Sequence, residues 1–288
     1  MDRQISMKDR RLLGYFEIGP PGGRPVFYAH GFPGSRLETI FVGAAAEKRH
    51  IRIIGMDRPG YGLSCYQPRR TLLDWPDDVT ALADVLGIER FSVVGVSGGG
   101  PYAAACARKI PERLISVGIV GGLCPLDAPH AMDGMILKNR LGLHLAARSP
   151  RLTALVFRIT ASMLRHHPEY LVRRLAAKVK GADRIFLNQG ETASILAASF
   201  RESVRQGFSG PLHDLILYSR PWDFRPEDIT ISVHLWHGME DTIVPPGMGR
   251  FMSSTIPRCR SRFCENEGHF SILANRLDEI LSTLMAPS

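Results

Sequence analysis

The sequence predicts an α/β protein with a mostly parallel central sheet, helices on both faces and a helical block inserted into the sheet. Two observations carry this. Along residues 26–120, short buried-type apolar runs alternate with helical stretches and lack hairpin turn chemistry, which calls for crossover connections and parallel pairing. The alternation then stops: residues 123–226 read as helix throughout, and strand character resumes at 231–236, so the helical block lies between two strands of one sheet. A chain of 288 residues suits one large core with an insertion better than two independent domains. The expected organisation is a first core segment 1–122, an inserted cap or lid 123–226 and a second core segment 227–288.

Residues 4–18 read as an amphipathic hairpin, with Lys8-Asp9-Arg10-Arg11 as the turn and 12–16 as the return strand. A Pro/Gly loop over 19–24 leads to a short strand, 26–29, which runs into His30-Gly31-Phe32-Pro33-Gly34-Ser35 and a helix over 37–48. A second buried strand, 51–56, ends in Asp57-Arg58-Pro59-Gly60-Tyr61-Gly62-Leu63-Ser64. A helix over 73–86 follows. Asp74, Asp77 and Asp78 in its first turns suit the helix dipole and read as a solvated helix start. Strand 91–95, helix 101–107 and strand 114–120 complete the first segment. Within the insertion, Ser149-Pro150, His167-Pro168, Gly181, Gly207 and Gly210-Pro211 separate one helix from the next. After strand 231–236 come a helix over 249–255, a strand over 261–264, a loop through Glu267-Gly268-His269-Phe270 and a terminal helix over 275–284.

The chemistry gathers at Gly95-Val96-Ser97-Gly98-Gly99, where a strand, a sharp turn and a helix meet at one serine. In that context G-x-S-x-G holds the serine in a strained backbone conformation with its hydroxyl exposed above the sheet. Gly95 and Gly99 are expected where strand and helix nearly touch and a side chain would collide. The helix beginning at Gly98 turns unpaired N–H groups and its positive end toward the serine. A serine hydroxyl is a poor nucleophile until a base takes its proton, and the base is useful only if a third group fixes its tautomer. Asp241 and His269 each follow a strand of the second core segment, giving the chain order Ser97, Asp241, His269. The oxyanion needs two N–H donors, for which Gly98 and, in the first strand-to-helix loop, Phe32 are placed.

With these motifs in order, the chain resembles the α/β-hydrolase superfamily over residues 22–122 and 228–284. The matching pieces are the His-Gly-x-Pro loop at 30–33, Asp-Arg-x-Gly-x-Gly-x-Ser at 57–64, the serine turn at 95–99, His-Gly-x-x-Asp at 237–241 and Gly268-His269-Phe270. The resemblance implies Ser97 as nucleophile, His269 as base, Asp241 as orienting acid, Phe32 and Gly98 as oxyanion donors, and the insertion as a cap over the active site. Some members place the acid after the sixth strand, near Asp127, which stands as the alternative. Haloalkane dehalogenases and epoxide hydrolases look similar but carry an Asp where this chain has Ser97. Proline iminopeptidases share the serine and the loop patterns, yet hold a free amino terminus with cap carboxylates, for which Glu169 or Glu191 would have to serve. The implied activity is hydrolysis of a small, fairly apolar carboxylic ester or related acyl substrate through an acyl-enzyme, with no cofactor and no metal. Carbon–carbon hydrolysis, acyl transfer and perhydrolysis run on the same triad, and a small-molecule receptor with little turnover is the rival from another class.

The formal charge of +8 and a pI near 9.5 leave nucleic-acid or membrane-surface binding open by themselves. The excess sits in the insertion, where 15 Lys and Arg face 8 Asp and Glu, a net of +7. It reads as a solvated face, as attraction for an anionic substrate or acidic partner, or as a membrane-surface role. Nucleic acid is set aside because no nucleic-acid-binding fold accompanies the charge. Arg151, Arg158 and Arg165 recur along one helix face, with Leu155, Val156, Ile159 and Met163 on another. Tyr218 and Trp222 are candidates for the substrate pocket. No run reaches the roughly 18 to 20 apolar residues of a membrane span, and residues 1–11 are not signal-like, so the expectation is a cytoplasmic enzyme of a small-molecule substrate. Five cysteines without a C-x-x-C pair argue against a disulfide framework or structural zinc. The oligomeric state is left open.

Overall fold

The chain enters its sheet through an antiparallel hairpin, β1 (Asp2–Ser6) and β2 (Leu12–Ile18), with Ile5 opposite Leu13. The structure, a computed structural model, describes residues 2–286. Next come β3 (Arg24–Ala29), a 3-10 turn at Arg36–Thr39, α1 (Ile40–Lys48), β4 (Ile51–Met56), α2 (Trp75–Val85), β5 (Phe91–Val96), α3 (Gly100–Lys109) and β6 (Leu114–Val120). The insertion holds α4 (Leu137–Arg148), α5 (Pro150–His166), α6 (Pro168–Ala176), α7 (Gly181–Leu187), α8 (Gly190–Ser203) and α9 (Ser209–Tyr218). The chain returns through β7 (Val233–Gly238), α10 (Pro246–Thr255), β8 (Cys259–Cys264), α11 (Ser271–Asn275) and α12 (Leu277–Met285).

Among the described residues the sheet has eight strands in the order β1-β2-β4-β3-β5-β6-β7-β8. β2 is antiparallel to β4, and every pair from β4 to β8 is parallel. Side chains alternate across each strand. Phe27, Ile54, Phe91 and Val93 pack on one face with α2, α3 and α10, while Val26, Ile53, Val94 and Val96 pack on the other with α1 and α12. This double cover is why β5 is buried at all six positions and is apolar but for Ser92, whose hydroxyl donates to the Leu284 carbonyl at 2.8 Å. The parallel strands deliver the loops after β3, β5, β7 and β8 to one edge of the sheet, where such folds bind ligands. The insertion leaves between β6 and β7 and has a core of its own around Phe157, Leu164, Val172, Leu196 and Phe200.

The structure differs from the sequence reading in local detail. Helix in the insertion begins only at Leu137, because residues 121–136 carry Pro125, Pro129 and three glycines that interrupt it. β7 runs two residues further than expected and takes in His237 and Gly238. The terminal helix expected over 275–284 is α12, and a short helix not expected, α11, precedes it across Arg276. Asp78 is not solvated but buried, paired with Arg11 at 2.7 Å. In α5 the inward face is Thr153, Phe157, Ala161 and Leu164, whereas Leu155 and Ile159 stand 60% and 70% exposed. The heptad spacing separates two apolar faces on that helix, and only the neighbours decide which one is covered. Among the described residues no helix is long and apolar enough to cross a membrane.

Candidate active site

β5 ends at Val96, and Ser97 takes φ +54° before one turn of 3-10 helix leads into α3. That left-handed conformation is strained for a serine and turns its side chain out of the strand direction. A Cβ at Gly95 would collide with the Gly99 carbonyl, so strand and helix touch there as expected. At Gly99 the collision would be with the Ala29 carbonyl: the second glycine admits the end of β3 rather than its own strand.

Ser97 Oγ lies 2.8 Å from His269 Nε2, and His269 Nδ1 lies 2.7 Å from Asp241 Oδ2. The other oxygen of Asp241 accepts the N–H groups of Ile243 and Val244, both at 2.8 Å, which fixes the carboxylate plane. Asp127 is exposed and lines a separate depression with Met132 and His144. Burial by itself would lower the His269 imidazole, but the charge and hydrogen bond of Asp241 outweigh it and leave the ring raised above the ordinary histidine value. An imidazole held at both nitrogens can take a proton from the hydroxyl while the carboxylate offsets the charge that forms.

Phe32 faces Gly98 across the floor of the site, its backbone nitrogen 3.2 Å from where a Gly98 side chain would begin. Gly98 stands in the first helical turn, whose N–H groups have no intrahelical acceptor. The preceding loop donor, Gly31 N–H, is occupied by Glu38 Oε2 at 2.8 Å. Glu38 is buried, and burial pushes its carboxyl up to about 7.

Two carboxylates from the insertion hold these loops. Asp183 on α7 accepts N–H groups from His269 at 2.7 Å and from Phe270 and Ser271 at 2.8 Å, so it caps α11 and fixes the histidine loop together. Asp214 on α9 is buried among Arg58 (2.7 Å), Arg70, Tyr61 (2.8 Å) and Tyr102 (2.5 Å). Arg58 in turn donates to the carbonyls of His30 and Gly31. Tyr218 lies with its hydroxyl 2.8 Å from the Gly98 carbonyl and 3.1 Å from Asp214. Asp57 accepts the N–H groups of Arg36 and Leu63 at 2.9 Å and pairs with the Arg36 guanidinium, the part of a turn anchor.

A cavity of about 560 Å³ opens over Ser97 and His269, with Phe32, Phe41, Leu164 and Leu196 among its apolar walls. Neither aromatic expected in the substrate pocket lines it. Tyr218 is buried beneath Gly98, and Trp222, half-buried, packs on Phe224 against the main core, with ring centroids 5.3 Å apart. Glu38, Asp183 and Asp214 were not marked by the sequence motifs. Only Asp214 left a signal, as a lone acid in the apolar run 211–218. Among the described residues no group of three or more His, Cys, Asp and Glu is arranged to hold a metal ion.

A sequence model of the alpha/beta hydrolase fold family matches residues 24–275. Over 113 residues the chain is 36% identical to the dihydrolipoyllysine-residue acetyltransferase component of an acetoin cleaving system from Pseudomonas putida, covering 38% of this chain and 30% of that protein. Over 112 residues it is 32% identical to a proline iminopeptidase of Xylella fastidiosa, covering 38% of this chain and 36% of that one. The matches thus span about a third of the length of these two relatives. An esterase structure from Thermogutta terrifontis superposes with a TM-score of 0.68 at 20% identity, covering 99% of this chain and 100% of that one, a likeness of fold.

Proposed function

The chain belongs to the α/β hydrolase fold family, and on that premise we propose that it is a serine hydrolase cleaving a small, fairly apolar carboxylic ester or related acyl substrate through an acyl-enzyme. The observation that carries the reading is the line of hydrogen bonds from Ser97 through His269 to Asp241, at 2.8 and 2.7 Å, on the floor of an apolar-walled cavity. Ser97 Oγ attacks the carbonyl carbon as His269 Nε2 takes its proton, and the tetrahedral oxyanion is held by the N–H groups of Phe32 and Gly98. His269 returns the proton to the leaving alcohol as the carbon–oxygen bond breaks. Water, deprotonated by the same nitrogen, then releases the acid and restores Ser97. One oxyanion donor contributes on the order of 3 kcal/mol to such a step. The helical insertion serves as the cap.

An aminopeptidase reading finds less support in the residues at hand. Glu169 is exposed and bound to Arg201 at 2.9 Å, outside the cavity, which leaves Glu191 as the insertion's acid on the cavity wall. The test is labelling of wild type and Ser97→Ala with a serine-directed fluorophosphonate, followed by p-nitrophenyl esters of increasing acyl length. Labelling and turnover confined to the wild type are expected. Equal hydrolysis by Ser97→Ala would overturn the assignment.

A further inference from the structure

We propose that Lys138, Arg174 and Lys178 form an anion-binding subsite at the mouth of the cavity, selecting substrates whose end remote from the scissile bond carries a carboxylate or similar anionic group. This rests on the reading that the cavity over Ser97 holds the substrate. All three cations line that cavity, and they reach it from two separate elements of the insertion. Arg174 and Lys178 are four residues apart, and together with Leu171 and Leu175 they present one face of α6 and its following turn to the cavity. Lys138 is the second residue of α4, at the positive end of the helix, where a cation is disfavoured.

Arg36, Arg58, Arg70 and Arg201 are each paired with a carboxylate. Among the described residues none of the three at the mouth makes an ion pair, and Arg174 lies instead over the Tyr170 ring at 5.7 Å. Burial and the like charges of Lys178 and Arg174 lower the Lys138 ammonium, which places the three groups within electrostatic reach of one another. Like charges gathered without a counterion repel, and a bound anion relieves that repulsion. The carboxylates on the cavity wall are Glu191 and, down at the floor beside Gly31, Glu38. Between mouth and floor the walls are apolar, with Phe41, Leu164 and Leu196. An apolar chain ending in a carboxylate, such as the half-ester of a dicarboxylic acid, matches this polarity from end to end.

The experiment compares mono-p-nitrophenyl esters of dicarboxylic acids with the same compounds capped as methyl esters. Wild type is expected to prefer the anionic member in kcat/KM by roughly tenfold. The ratio should fall toward one in Arg174→Glu/Lys178→Glu, and also in wild type as salt rises from about 0.01 to 1 M, which shortens the screening length from about 30 to 3 Å. A second arm needs no turnover: monomethyl pimelate and dimethyl pimelate are titrated calorimetrically into Ser97→Ala protein with and without the charge reversal. Tighter binding of the monoanion, lost on reversal, supports the subsite. Equal binding of the two probes, no binding of the monoanion, or a preference that survives reversal and high salt overturns it. If binding follows the charge while fluorophosphonate fails to label Ser97, the subsite stands and the hydrolase reading falls.

Discussion

Asp183, on a helix of the insertion, accepts the backbone N–H of His269 at 2.7 Å. The residue proposed as general base is therefore held in place from outside the sheet that carries it. The same carboxylate takes the N–H groups of Phe270 and Ser271, so one side chain satisfies three donors at a tight turn. Its negative charge also contributes to raising the His269 imidazole.

Replacing Asp183 by Asn tests this link. The amide can still accept through one oxygen, but its NH2 now faces N–H groups, leaving at least one buried donor unpaired at a cost of about 1–3 kcal/mol. Looser placement of the imidazole is expected to lower kcat by up to about a hundredfold, with a smaller change in KM. The acid limb of the kcat/KM profile should also move to lower pH, since a charge that raised His269 is gone. A purely structural role would reduce stability and leave that limb where it was. Denaturant unfolding and a pH–rate profile measured on the same variant separate the two.

Much of this arrangement was legible in the sequence because it depends on local backbone chemistry. The serine turn, the His-Gly-x-Pro loop and the strand ends at Asp241 and His269 are short-range patterns, and glycines mark where two backbones meet. Asp183 and Glu38 left no such mark. Asp183 acts on a segment 86 residues away, and Glu38, only seven residues from Gly31, reaches back across the intervening turn, so nothing near either carboxylate announces its partner. The choice between Asp241 and Asp127 stayed open for a related reason: both follow a strand, and only the three-dimensional packing brings one of them to His269 Nδ1. Trp222 and Tyr218 show the converse. Aromatic side chains in the insertion suggested a pocket, whereas the hydroxyl of one and the large area of the other are used in the core.

Asp241→Asn and Asp127→Asn provide the next comparison. Asp241 Oδ1 is bound by two backbone N–H groups, so an asparagine will keep its oxygen there and turn its NH2 toward His269 Nδ1. That forces the proton onto Nε2, the nitrogen that must accept from Ser97. A loss on the order of 10⁴ in kcat is expected. Asp127 is exposed, and its replacement should change the rate less than about twofold. A large loss confined to Asp127→Asn would move the orienting role there.

Glu38 gives the pH dependence a second component. Neutral His269 is required to take the proton, and its raised pKa places the acid limb of kcat/KM above the ordinary histidine value of 6.5. Glu38 titrates near 7, and its charge is among those that raise His269, so the two ionisations are coupled. Because the folded state holds the Glu38 proton more tightly than an ordinary glutamate of pKa 4.5 does, its contribution to stability is present at low pH and lost as pH rises through about 7. Glu38→Gln is therefore expected to raise Tm relative to wild type at pH 8 but not at pH 4, and to shift the acid limb downward. An unchanged Tm difference between the two pH values would show that the Glu38 carboxyl titrates alike in the folded and unfolded chain, which would overturn the effect of its burial.

Asp214 has the opposite sign. Burial would raise its carboxyl, but Arg70 and Arg58 outweigh that and hold it well below the usual carboxylate range. Its contribution to stability is thus present above the unfolded value and lost as pH falls through the depressed one. Removing the charge leaves two buried guanidiniums without their carboxylate, and one of them, Arg58, is the donor to the His30 and Gly31 carbonyls beside the oxyanion loop. Asp214→Asn is expected to cost about 3–5 kcal/mol at pH 7 and to reduce the difference between its stability at pH 7 and at pH 3. Urea unfolding at both pH values measures this directly. The double variant with Arg70→Met, which removes one uncompensated cation, should recover part of the loss. If it recovers none, the loss comes from Arg58 and the tyrosine hydroxyls instead, among them Tyr218, which links α9 to the Gly98 carbonyl of the serine turn.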